Sequence, residues 1–152
     1  MSGFLLDANV ISELVKPRPE PAVAKWIDAT EENLLCLSVL TFGEIRKEIA
    51  ALPDGSSRRV SLETWLDHEI SLRFAGRILA IDQAITDRSG AITARALATK
   101  SPLPVVDGLL AATALQHNLT LVTRNTRDMA ISGASVFNPW PSFSCARQRC
   151  PT

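Results

Sequence analysis

Asp7, Glu44, Asp107 and Asn125 stand far apart in the chain, and each falls at or just beyond the end of an apolar run. If those runs are parallel strands, their carboxyl ends lie along one edge of a sheet, where open α/β folds place their sites. Three carboxylates and an amide gathered there would repel one another unless a cation neutralised them. Hard oxygen donors of this kind suit Mg2+ or Mn2+. The chemistry such a set supports is metal-dependent hydrolysis.

Each residue taken singly has a plainer reading. Asp7 could simply cap the helix that follows it. Glu44, in the first turns of a helix, could be ordinary pairing with the helix dipole, and so could Asp107. Asp107 is nonetheless set between the apolar pair Val105-Val106 and the apolar run Gly108-Leu109-Leu110-Ala111-Ala112, a setting that favours a purposeful polar group. Asn125 is a common turn residue, and Asn9 could form an Asx turn or orient neighbouring ligands. Arg124 and Arg127 could contact phosphate or balance Asp128. The tryptophans are read as core or interface anchors.

The elements that must position these residues follow from patterning. Short apolar runs predict strands over 4–6, 34–37, 77–81, 119–123 and 136–137. A brief helix after Asp7 is stopped by Pro17, Pro19 and Pro21. Further helices are predicted over 22–30, 39–52, 58–74, 82–100 and 106–117, with a loop over 53–57 and a loop or single turn over 124–129. Strands alternating with helices imply crossover connections and a mainly parallel sheet. One domain over 1–140 is expected, with a flexible tail over 141–152.

With 152 residues and 46% apolar content, the chain is sized for one domain with a substantial core. Formal net charge is zero, but up to Glu69 there are 12 acidic against 7 basic residues, and beyond it 4 against 9. A neutral total argues against a bulk nucleic-acid coat protein, while local arginines beside an acidic site would suit a phosphodiester. The odd cysteine count (Cys36, Cys145, Cys150) fits a reducing compartment. Cys145 and Cys150 could close a small disulfide, but His68 and His117 are isolated, so four zinc ligands do not assemble. No membrane span or signal peptide is recognisable, and a cytoplasmic location is expected.

Taken together, the elements resemble a known family. Phe4-Leu5-Leu6-Asp7-Ala8-Asn9-Val10-Ile11-Ser12-Glu13 is similar to the opening of PIN domains, in particular the VapC and FitB type of bacterial toxin nuclease. Leu37-Ser38 through Thr41-Phe42-Gly43-Glu44 resembles their second motif, Val106-Asp107 through Thr113-Ala114 their third, and Leu121-Val122-Thr123-Arg124-Asn125 their fourth. Val136-Phe137-Asn138-Pro139-Trp140 resembles the close of FitB-like members. The likeness runs over about residues 3 to 140, and its force lies in four motifs in order.

The resemblance implies a PIN-like α/β/α sandwich with a five-stranded, mainly parallel sheet. It implies a Mg2+-dependent ribonuclease, Mn2+ substituting, with Asp7, Glu44 and Asp107 holding the metal and Asn125 completing the catalytic set. Asn9, Thr123 and Asp128 are expected around those ligands. Asn125 departs from the Asp of many relatives, which favours one metal over two. Implied partners are an RNA substrate and a small DNA-binding antitoxin that carries the complex to operator DNA. The implied assembly is a homodimer or a heterotetramer with antitoxin, with the helices from Ala22 and Arg58 as candidate contact surfaces. The alternative is a catalytically weak subunit acting as co-repressor. A phosphatase of the haloacid-dehalogenase type would want a second Asp where Asn9 stands, and a receiver domain would want paired acids and a late-strand Lys.

Overall fold

The computed structural model describes residues 2–141, so the expected tail over 141–152, with Cys145 and Cys150, lies outside the described residues except for Pro141. Five strands form one sheet in the order β3-β2-β1-β4-β5. They are β1 (Phe4–Leu6), β2 (Leu35–Ser38), β3 (Ile78–Leu79), β4 (Thr120–Val122) and β5 (Val136–Phe137), and every neighbouring pair is parallel. The central runs β1, β2 and β4 are largely buried on both faces, whereas the edge strands β3 and β5 are partly exposed. Leu5 and Leu121 turn to one side, Leu6 and Val122 to the other, and all four are fully buried.

Helices cover both faces. On one side lie α1 (Ala8–Glu13), α2 (Pro21–Ala29), α3 (Val39–Ala50), α4 (Ser57–Thr64) and α5 (Ser71–Arg73), whose core includes Val10, Ile11, Val23, Ile27, Ile45 and Ile49. On the other lie α6 (Gln83–Ala98), α7 (Val105–Gln116) and α8 (Thr126–Met129), around Ile85, Ile92, Leu103, Leu110 and Met129. This is the expected α/β/α sandwich. Trp26 meets Phe4 edge-on at 5.0 Å and Phe137 at 5.3 Å, serving as a core anchor.

One local departure from the sequence reading lies in the helices. The helix expected over 58–74 is continuous in outline, but Trp65–Ile70 is a π-helix. Leu66, Ile70 and Phe74 must all be buried at a spacing of four. Leu66 and Ile70 lie within the π segment and Phe74 one turn beyond it. Ser71 Oγ donates to the carbonyl of Leu66, five residues back, at 3.1 Å.

The site residues stand on the elements that the patterning predicts. Only Asp7 and Asn125 follow strands. Glu44 is carried on α3, which leaves the end of β2, and Asp107 is in the first turn of α7. Val105-Val106 begins that helix, with Val105 exposed; Pro104, extended at φ −55° and ψ 148°, is its N-cap. The acidic residues still gather, since a parallel crossover starts its helix at the carboxyl edge of the sheet.

Candidate active site

Asp7 ends β1, the strand at which the sheet order reverses, with β2 on one side and β4 on the other. That is where a crevice opens in a doubly wound sheet. Its backbone N–H donates to Val122 O at 2.9 Å, so β4 holds the residue in line. Both readings of Asp7 hold at once. Oδ1 accepts from Ala8 N at 2.7 Å and caps α1, while Oδ2 accepts from the Thr123 hydroxyl at 2.7 Å.

Thr123 is fully buried and serves as a junction. Besides donating to Asp7, its Oγ1 accepts from Asn125 N at 3.1 Å and from Asn9 Nδ2 at 3.3 Å. Asn9 Nδ2 also reaches Asp7 Oδ2 at 3.4 Å, and its Oδ1 accepts from Arg124 N at 3.5 Å. The first and fourth motifs are thereby tied together across more than a hundred residues.

A cleft of about 510 Å³ opens over this junction and is lined by Asp7, Asn9, Glu44, Asp107 and Asn125, together with Lys47, Glu48 and Ala51. All four residues of the proposed set therefore meet. Asp128 does not line the cleft. It faces a neighbouring depression of about 340 Å³ with Ser101, Pro102 and Arg127, although its charge still reaches Asp107.

Electrostatics in the cleft are strained in one direction. Burial pushes the Asp7 carboxyl above the usual carboxylate value, against the Thr123 hydroxyl and the Ala8 N–H. Burial likewise raises Glu44, helped by the charges of Asp7, Asp107 and Glu48 and opposed by Lys47. Asp107 is raised by burial and then by Asp7 and Asp128. Carboxylates this close favour protonation or a bound cation. An all-oxygen set of three acids and an amide fits a hard divalent ion. Among the described residues no three His, Cys, Asp or Glu side chains stand close enough to enclose an ion on their own. Mg2+ takes one or two carboxylates and keeps several waters, so this open arrangement is compatible with it.

Lys47, Glu48 and Ala51 were not singled out in the sequence. The signal that finds them is helical spacing: positions 44, 47, 48 and 51 form one stripe of α3 once Glu44 is placed at the cleft.

A parallel α/β/α sandwich with an acidic cleft at its switch point is the architecture of the PIN domain. The PIN domain model matches residues 4–131, and the chain belongs to that family. It is 38% identical over 137 residues to toxin FitB of Neisseria gonorrhoeae, a match covering 90% of this chain and 98% of that protein. It is equally 38% identical over 137 residues to VapC ribonuclease Y4jK of Sinorhizobium fredii, covering 90% and 97%. A solved structure of FitAB bound to an IR36 DNA fragment superposes with a TM-score of 0.86 at 35% identity, covering 91% of this chain and 96% of that one.

Proposed function

We propose that this chain is the ribonuclease toxin of a toxin–antitoxin pair, hydrolysing RNA phosphodiester bonds with Mg2+, for which Mn2+ substitutes. The observation that carries the reading is the meeting of Asp7, Glu44, Asp107 and Asn125 in one cleft at the switch point of the sheet. Relatives named toxin FitB and VapC ribonuclease support it.

In this reading Asp7, Glu44 and Asp107 would hold the cation, directly or through its bound waters. When bound, the cation neutralises charge on the scissile phosphate and lowers the pKa of the attacking water, so that no protein nucleophile is needed. Thr123 fixes Asp7 Oδ2, and Asn9 braces both. Asn125 is held against Thr123 through its backbone N–H and offers its side-chain oxygen without a charge, which favours a single metal. Asp128 acts on the site through its charge on Asp107.

The partner in this reading is a small DNA-binding antitoxin, through which the complex reaches operator DNA. The FitAB structure with bound DNA supports that assignment. A homodimer, or a heterotetramer with antitoxin, is the proposed assembly, and the cytoplasm is the proposed location. Among the described residues no helix is long and apolar enough to cross a membrane. A second reading, a weakly catalytic co-repressor, is favoured by one observation: an uncharged Asn125 in the cleft.

The test is cleavage of a structured RNA pool by antitoxin-free protein, with Mg2+ or Mn2+ against EDTA, beside Asp7→Asn. Asparagine also caps helices well, so the variant should keep its fold. A loss of at least about 100-fold is expected. Full activity in the variant would sink the assignment of Asp7. Silence from folded wild-type protein with metal present would favour the co-repressor.

A further inference from the structure

Four carboxylates, Asp7, Glu44, Glu48 and Asp107, line the cleft against one cation, Lys47. An RNA strand entering it brings more negative charge to a place where the acids already repel one another. One divalent ion offsets only two of the four acidic charges, so phosphate needs a further positive group.

Lys47 is the residue in position to supply it. It is exposed on α3, one turn beyond Glu44, and it lines both the acidic cleft and the adjoining shallow depression beside Val39, Leu40 and Val106. Its surroundings offer partners, yet it takes none: among the described residues the ion pairs engage Lys16, Arg46, Arg59, Arg73 and Arg77, and Lys47 is not among them. Arg46, its neighbour on the same helix, is turned away to Asp67. A lysine whose ammonium is unpaired keeps its full charge for an incoming anion, and its flexible stem suits a phosphate as a point charge.

We infer that Lys47 is an RNA-binding residue, whose Nζ donates to a non-bridging oxygen of a backbone phosphate next to the scissile one. The inference rests on the ribonuclease reading for its substrate class. It makes Lys47 a determinant of affinity, equally effective on any base sequence, since a phosphate contact carries no base information.

The test uses Lys47→Ala and Lys47→Arg in the full chain, freed of antitoxin, with a fluorescein-labelled mixed-sequence single-stranded RNA. Steady-state cleavage gives KM and kcat. Binding with Mg2+ is read in the Asp7→Asn background, so that the RNA survives the measurement. For Lys47→Ala we expect KM to rise about fivefold with kcat unchanged. The slope of log affinity against log salt should shrink by about 0.7, the loss of one phosphate contact on a single strand. Lys47→Arg should restore both. Melting temperatures of the three proteins, all expected to be equal, guard against a folding defect.

An unchanged KM and salt slope in Lys47→Ala overturns the inference, as does wild-type protein that binds no RNA. Unchanged RNA binding with weakened antitoxin capture also overturns it and assigns Lys47 to the protein partner. If wild-type protein binds RNA and Lys47→Ala lowers the salt slope, but nothing is cleaved, the inference stands and the nuclease reading falls.

Discussion

The Thr123 hydroxyl donates to Asp7 Oδ2 at 2.7 Å, joining two residues 116 positions apart at the ends of adjacent strands. The contact is buried, and it lowers the charge penalty on an acid that burial otherwise raises. Position 123 therefore bears on both the geometry and the ionisation of Asp7.

Replacing Thr123 by Val keeps the shape and removes the hydroxyl. Asp7 Oδ2 then loses its donor, and Asn125 N loses its acceptor. A cost of about 1–3 kcal/mol in urea unfolding is expected. Cleavage should fall by about 10- to 100-fold, with Thr123→Ser retaining more activity than Thr123→Val. Equal activity in Val and Ser variants would show that the hydroxyl plays no part in orienting Asp7.

The three raised carboxyls set a pH dependence of stability. Asp7, Glu44 and Asp107 each hold a proton to higher pH in the fold than in the unfolded chain. Their stabilising contribution is complete below the ordinary carboxylate range and is lost as pH rises through the raised folded values. Glu32, lowered first by its hydrogen bond to Arg73, contributes in the opposite direction, so the comparison must isolate the cleft. A divalent cation favours the ionised forms of the cleft acids. The gain in melting temperature on adding Mg2+ should therefore grow as pH is raised from about 4 to about 7. A gain that is flat with pH would mean that the ion binds elsewhere.

Gly108 sets how closely α7 lies on α6, and so where the adjacent Asp107 stands. A methyl there would come within 2.8 Å of Thr93 Cγ2 and 3.1 Å of Ser89 Oγ. Thr93 has little freedom to turn aside, because its hydroxyl donates to Ser89 O at 3.0 Å. Gly108→Ala should cost about 1–3 kcal/mol and weaken Mg2+ binding measured by calorimetry. Wild-type stability in this variant would mean that the two helices separate freely.

Much of this arrangement is legible in the chain itself. Buried strands such as Leu5-Leu6 and Leu121-Val122 announce themselves as apolar runs, since both sheet faces are covered. The alternation of such runs with amphipathic helices leaves a parallel sheet as the natural outcome. Asp7, Glu44, Asp107 and Asn125 are identifiable from their place in four ordered motifs.

Tertiary structure decided the rest, for reasons that lie in packing across the sequence. That Asp7 is both cap and cleft residue depends on Thr123 arriving beside it through the pairing of β1 with β4. The π turn at Trp65–Ile70, which carries the buried Leu66 and Ile70, is not encoded by any local propensity. Asp128, three residues from Asn125 in sequence, faces a different depression because α8 turns it away. Lys47 is one of several surface lysines until α3 is docked, when its side of the helix becomes a wall of the acidic cleft. Sequence carries the residue types and their local periodicity, whereas distances between segments are set only when their apolar faces compete for the same core.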